Sequence, residues 1–174
     1  MIRHLTPADY RSMPWANGRG MTVEMLRVPV EGALQWRLSR ASVVEDGDFS
    51  IFPEVNRNLT VTSGPGFDLA GPMGVLPARP LVPVAFAGDV PVRAVGVTAP
   101  SDDFNVMTAR GLGLPQVTVI RVGTDLPASG TWAVFALGKA VVGGIRMGCH
   151  DLVITDQAVT IDPVAPVIVA RIYG

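Results

Sequence analysis

The stretch Leu59 to Gly71, L-T-V-T-S-G-P-G-F-D-L-A-G, decides the fold. Apolar and polar residues alternate on both sides of a Gly-Pro-Gly turn, a period of two that belongs to strands. The stretch Trp132 to Gly144, W-A-V-F-A-L-G-K-A-V-V-G-G, repeats the plan of strand, glycine turn, strand, glycine. After each comes a Val-rich strand pair, ending in V-R-A-V-G-V at Val92 to Val97 and V-I-V-A-R-I at Val167 to Ile172, at an offset of about 73 to 75 residues. The echo lies in pattern more than identity, and any two β-hairpins share some of it, so duplication and coincidence both stay open. A duplication makes each half a small β-barrel.

Outward from these hairpins the chain keeps the same character. Its 19 glycines and 15 prolines are spread along the whole length and punctuate many short strands. The clearest runs are Thr22 to Val28, Gln35 to Val43, Asn58 to Ser63, Gly66 to Leu69, Leu81 to Phe86, Val92 to Val97, Gln116 to Val122, Thr131 to Leu137, Asp151 to Thr155, Ala158 to Ile161 and Val167 to Tyr173. No longer window keeps a helical apolar spacing free of Gly and Pro, so helix is minor, with one turn expected near Thr6 to Met13. The spacing predicts an all-β sandwich or barrel.

With 174 residues the chain is long enough to bury a core without metal or disulfide staples. Its 14 basic and 15 acidic residues are nearly balanced and scattered, which leaves no electrostatic footprint for nucleic acid. Polar Arg3, His4, Asp9 and Arg11 stand where a signal peptide needs its apolar core, and no stretch approaches about 18 uninterrupted apolar residues, so neither export by that route nor a membrane span is expected. The single Cys149 excludes an internal disulfide and fits a reducing compartment, with cytoplasm as the default.

The glycine pair in W-A-N-G-R-G, Trp15 to Gly20, lacks the strand before it and the helix after it that a phosphate cradle needs. It reads as a turn, with Asn17-Gly18 supplying positive φ, leading into a strand. Metal chemistry has little to work with: His4 and His150 are the only histidines, neither is paired at ligand spacing, and Cys149 and His150 read as a buried thiol and a surface imidazole. No metal or cofactor is expected. No G-x-S-x-G elbow is present, which leaves carboxylates, Glu24, Asp46, Asp48 or Asp103, for any acid-base chemistry.

Strand parity gives more. In R-N-L-T-V-T, Arg57 shares a face with Leu59 and Val61, so an inward apolar face carries Arg57 inward at its end. In W-R-L-S-R-A-S-V, Arg37, Ser39, Ala41 and Val43 share a face that mixes polar and small groups, as a ligand cavity does. Thr22, Glu24 and Leu26 form a third such row, with Glu24 able to balance an inward arginine. An arginine fork at a barrel mouth clamps a carboxylate through two parallel charge-assisted hydrogen bonds, whereas the same arginine on the outer face is a solvated surface residue. Trp15, Trp36, Phe49, Phe52 and Phe104 read as core or loop-anchoring aromatics.

Taken in order, these segments resemble one family. Trp15-Ala16-Asn17-Gly18-Arg19-Gly20 with Thr22 and Glu24, Trp36-Arg37-Leu38-Ser39 with Ala41, Gly47-Asp48-Phe49-Ser50-Ile51-Phe52-Pro53 with Arg57, Gly64, Phe86 and Gly88, then Asp103-Phe104-Asn105-Val106-Met107 with Arg110-Gly111, are similar to the signature of the HutD/Ves family over about the first 111 residues. The resemblance implies an RmlC-like cupin fold with two germin-like barrels in one compact unit spanning residues 1–174, the halves falling at 15–111 and at 112–174 with the N-terminal residues. It also implies a link to histidine utilisation, in which HutD binds a small acidic metabolite such as formylglutamate or urocanate and restrains the pathway, or to the stress-induced Ves branch. The chain departs from the pattern at Ala16, where a basic residue is usual, and at Arg19, where glycine is; Glu54 and Asn56 stand where Gly and Asp are common.

Three readings follow. The first is a metal-free regulator or sensor binding a small carboxylate through Arg37 and Arg57, with Asn17, Thr22, Glu24, Ser39 and Asn105 orienting it. The second is a metal-independent isomerase or hydrolase in which Glu24 or Asp103 moves a proton. The third is a protein-interaction module with a vestigial pocket. Exposed sheet edges make a homodimer compatible with all three.

Overall fold

The computed structural model describes residues 1–15 and 20–173. Strands dominate, and among the described residues helix is confined to two single 3₁₀ turns, Pro7–Asp9 and Arg110–Leu112. The turn expected near Thr6 to Met13 is therefore shorter than its pattern suggested. Asp9 closes it by accepting the Thr6 backbone N–H at 2.8 Å, and Arg11–Pro14 leaves at once as a strand paired with Met21–Val30.

The chain forms two compact units, one from Arg11–Leu114 and one from Met1–Tyr10 with Pro115–Gly174. In the first, an antiparallel six-stranded sheet runs in the order Arg11–Pro14, Met21–Val30, Ala33–Val43, Ser101–Ala109, Val55–Ser63, Val84–Ala87. A second sheet runs Gly47–Asp48, Arg93–Val95, Phe67–Gly71, Gly74–Ala78. Val43, Leu59 and Val61 of the first sheet pack with Phe67, Leu69, Ala78, Val92 and Ala94 across the space between them. Each fully buried aliphatic side chain there contributes on the order of 2 kcal/mol of transfer free energy.

The Gly64-Pro65-Gly66 turn carries the chain from one sheet to the other. Gly64 (φ +81°) lies so close to the Pro100 carbonyl that a Cβ would stand 2.3 Å from its oxygen, and Gly66 (φ +84°) has the Ala78 carbonyl at 2.2 Å. Only glycine fits either place. The buried Ser101 hydroxyl accepts the Gly66 N–H at 2.9 Å and ties the turn to the central strand.

In the other unit, a five-stranded sheet runs Ile2–Leu5, Leu152–Thr155, Thr131–Ala136, Val167–Ile172, Gln116–Ile120, and a four-stranded one runs Thr124–Leu126, Val159–Pro163, Ala140–Val142, Ile145–Met147. Val134, Ala136, Val142, Ile161, Val167 and Val169 are among its core. The strand order repeats that of the first unit: Thr131–Ala136 occupies the place of Val55–Ser63, and Val167–Ile172 that of Ser101–Ala109. The echo between Leu59–Gly71 and Trp132–Gly144 thus matches equivalent strands. The echo between Val92–Val97 and Val167–Ile172 does not, because Arg93–Val95 corresponds to Val159–Pro163.

Candidate functional site

Three central strands of the six-stranded sheet turn matching rows of side chains to one face. Register places Met107 between Arg37 and Arg57, Asn105 between Ser39 and Leu59, and Asp103 between Ala41 and Val61. Met21–Val30 adds Thr22 opposite Ala41 and Glu24 opposite Ser39. Leu59 and Val61 feed the apolar core, while the polar ends of the rows line a half-open cavity of about 240 Å³, walled also by Trp15, Asp48, Phe49, Ser50 and Phe52. This volume suits a small metabolite.

Parity fails at one expected position. Met25 is the extra residue of a β-bulge, so Leu26 pairs with Leu38 on the opposite face and not in a row with Thr22 and Glu24. Beyond the bulge Arg27 stands opposite Arg37. A bulge shifts alternation by one residue, and nothing in T-V-E-M-L-R announces it.

Arg37 is 7% exposed and lines the cavity, its Nε donating to Glu24 Oε2 at 2.6 Å. Glu24 thus stands behind the arginine as its counter-ion and is not among the cavity-lining residues. Arg57, 6% exposed, donates from Nη2 to Asn105 Oδ1 at 3.0 Å and from Nη1 to the Ser50 carbonyl at 3.3 Å. Its guanidinium lies 5.0–5.3 Å from the centres of the Phe49, Phe52 and Phe86 rings. Its Nε is buried with no hydrogen-bond partner. Cation–π contact with three aromatic rings helps to hold the guanidinium in place.

The bond from Arg57 fixes the Asn105 amide, whose nitrogen donates to Asp103 Oδ1. Asp103 is 1% exposed and lines the cavity. Burial pushes its carboxyl up to about 7 against the opposing pull of Arg57 and Asn105. Arg57 is pushed down to about 10, chiefly by burial, with the Asp103 charge countering and Arg37 adding to the shift; it stays cationic at neutral pH. The adjacent Asp102 faces the other way and is satisfied by the Ser42 and Ser63 hydroxyls.

Of the other singled-out residues, Thr22 lines the cavity and accepts the Trp15 indole N–H at 2.8 Å, and Ser39 lies on the floor beside Asn105. Trp15, Phe49 and Phe52, read from sequence as core or anchoring aromatics, are cavity walls; no spacing signal separates these roles. Asp48 reaches the rim, with an 82% exposed side chain paired to Arg93 at 3.2 Å. Asp46 is occupied by the Val97 backbone N–H at 2.8 Å, outside the cavity lining. Asn17 lies outside the described residues, as do Ala16, Gly18 and Arg19.

The thiol differs from expectation. Cys149 is exposed, not buried, because it sits in the turn before Leu152–Thr155, where His150 has φ +70°. His4 Nε2 lies 2.9 Å from Asp151 Oδ2. Among the described residues no group of three or more His, Cys, Asp or Glu side chains converges in a way that suits a metal ion, and no helix is long and apolar enough to cross a membrane.

The HutD family model matches residues 7–165. A 21.2 kDa protein of Pseudomonas putida from the region 3′ of hutC is 39% identical over 113 residues, 62% of this chain and 58% of that protein, so the chain spans about six-tenths of that relative's length. Protein Ves of Citrobacter koseri is 34% identical over 159 residues, 82% of each chain. The solved structure of HutD from Pseudomonas fluorescens SBW25, in a formate condition, superposes with a TM-score of 0.89 at 29% identity and full coverage of both chains. The fold is nearly all-β and cupin-like.

Proposed function

Since the chain belongs to the HutD family, we propose that its cavity binds a small carboxylate metabolite and that the protein acts as a metal-independent sensor or regulator connected with histidine utilisation. The observation that carries this reading is the pair of buried arginines in one small cavity, of which, among the described residues, Arg37 touches a carboxylate and Arg57 does not. Buried charge is costly, and an arginine held among phenyl rings with an unpartnered N–H is retained at the expense of stability. An arriving carboxylate offsets that cost. Formylglutamate, urocanate and formate each offer such a carboxylate.

The equivalent strands of the other unit support a functional origin for these groups. There Val169 stands opposite Val134 as Asp103 stands opposite Val61, and Val169 is simply core. The fold accepts an apolar residue at that point, so Asp103 answers a need other than folding.

The test is thermal unfolding with formylglutamate, urocanate, glutamate, formate and uncharged analogues, with and without EDTA. A ligand at about 100 times its Kd adds roughly 2.7 kcal/mol. The reading expects stabilisation by at least one acid, insensitive to EDTA, weakened in Arg57→Lys and lost in Arg57→Ala. Stabilisation only by uncharged analogues, or by none, overturns it. Asp103 also favours the second reading, acid-base turnover, since a cavity carboxyl held near neutrality suits proton transfer. Product formation from the stabilising acid, abolished in Asp103→Asn, decides for it.

A further inference from the structure

We propose that the cavity takes up a single ligand carboxylate together with one proton, carried by Asp103, so that occupancy is controlled by the ionisation of this one buried side chain. The inference rests on the carboxylate-binding reading above and specifies how that site is regulated.

Occupancy depends on which charges meet. Among the described residues, the charged groups around Asp103 are Arg57 from Val55–Ser63, Arg37 from Ala33–Val43 with Glu24 of Met21–Val30 bonded to it, and Asp48 of Gly47–Asp48 at the rim. Asp102, beside it on Ser101–Ala109, faces away and is held by serine hydroxyls. Asp48 is exposed and paired with Arg93, so water screens it. Arg37 and Glu24 are in contact and cancel. What remains is Arg57 and Asp103, joined through the Asn105 amide and both nearly sealed from solvent.

With Asp103 ionised, these buried charges sum to zero, and an arriving carboxylate leaves a net negative charge beside another, buried carboxylate. With Asp103 protonated, Arg57 is an unmatched cation, and a single carboxylate restores neutrality. The burial of both side chains makes the difference large, because charges held below the surface are screened less than exposed ones. Binding and protonation are therefore linked, and by reciprocity each favours the other. Burial already holds the carboxyl at about 7 in the free protein, which puts the linkage within reach of ordinary changes in pH. The same balance sets the ligand class: one carboxylate in the cavity, any second one outside it.

The experiment is calorimetric titration of the full chain with sodium formate and with N-formylglutamate, whose carboxyls stay ionised from pH 6 to 9, in buffers of different ionisation heat. The proposal expects a Kd that weakens by about tenfold per unit between pH 8 and 9, and uptake approaching one proton per ligand bound at pH 9. Asp103→Asn, which keeps the shape and cannot ionise, should bind with a Kd independent of pH and no proton uptake. Wild-type binding with the same Kd from pH 6 to 9, or Asp103→Asn retaining the wild-type slope, overturns the linkage and leaves the carboxylate reading intact. Failure of both acids to bind wild type at any pH overturns both. Proton uptake by the wild type needs no variant and decides the matter should Asp103→Asn fold poorly.

Discussion

Arg57 shows how a single side chain can be legible in direction and illegible in surroundings. Strand parity in R-N-L-T-V-T places it on the face of Leu59 and Val61, and the structure has it there; the Phe49, Phe52 and Phe86 rings around it come from separate segments that no local pattern links. Glu24 was legible as the balance of an inward arginine, and it is bonded to Arg37 at 2.6 Å; the same limit of local pattern hid the surroundings of Asp103, the acid that lines the cavity. Removing one partner of the first pair should be costly: Arg37→Met strands Glu24 and is expected to lose about 3 kcal/mol by urea unfolding, with Arg37→Met/Glu24→Leu recovering most of it. Asp103 makes a prediction in pH. Its folded value of about 7 lies above the ordinary 3.8, so between those values the folded chain holds a proton that the unfolded chain has released. Stability should fall as pH rises through that window and level off above it, by at most about 4 kcal/mol at 1.36 kcal/mol per unit. Urea unfolding from pH 4 to 8 checks this, and Asp103→Asn should flatten the profile.

At the level of elements, the Gly64-Pro65-Gly66 turn was plain in the sequence, and the close approach of Pro100 explains why it cannot change. Gly64→Ala combines a positive φ with a backbone collision, and a loss of at least about 2 kcal/mol is expected, read as a lower urea midpoint with an unchanged slope. The strands on either side of this turn were legible because they alternate cleanly. Ser101–Ala109, S-D-D-F-N-V-M-T-A, was not, although it is the central strand between Ala33–Val43 and Val55–Ser63 and carries Asp103 and Asn105. Asp and Asn are poor strand formers, and they occur here because the site needs them and neighbouring strands on both sides hold the segment extended. Its absence from the expected strands also shifted the second half of the internal echo by one element. The functional strand was hidden by the residues that make it functional.

For the whole molecule, sequence periodicity reached the architecture but not its bookkeeping: the two units share a strand order, while one is filled by Val134 and Val169 and the other carries Arg57 and Asp103 in corresponding strands. The units also differ in how they are threaded. Arg11–Leu114 is continuous in the chain, whereas in the other unit Ile2 pairs with Thr155 and Leu5 with Leu152. Closing so long a loop is entropically and kinetically slower than joining neighbours. Pulse-labelled hydrogen exchange during refolding should therefore find the amides of Val55–Ser63 protected before those of Ile2–Leu5. On the ribosome the difference becomes one of waiting time. At roughly 5–20 residues per second, the first strand leaves the exit tunnel on the order of ten seconds before its partner is made. During that interval Ile2–Leu5 is an unclaimed strand, while the cavity-bearing unit can already be complete.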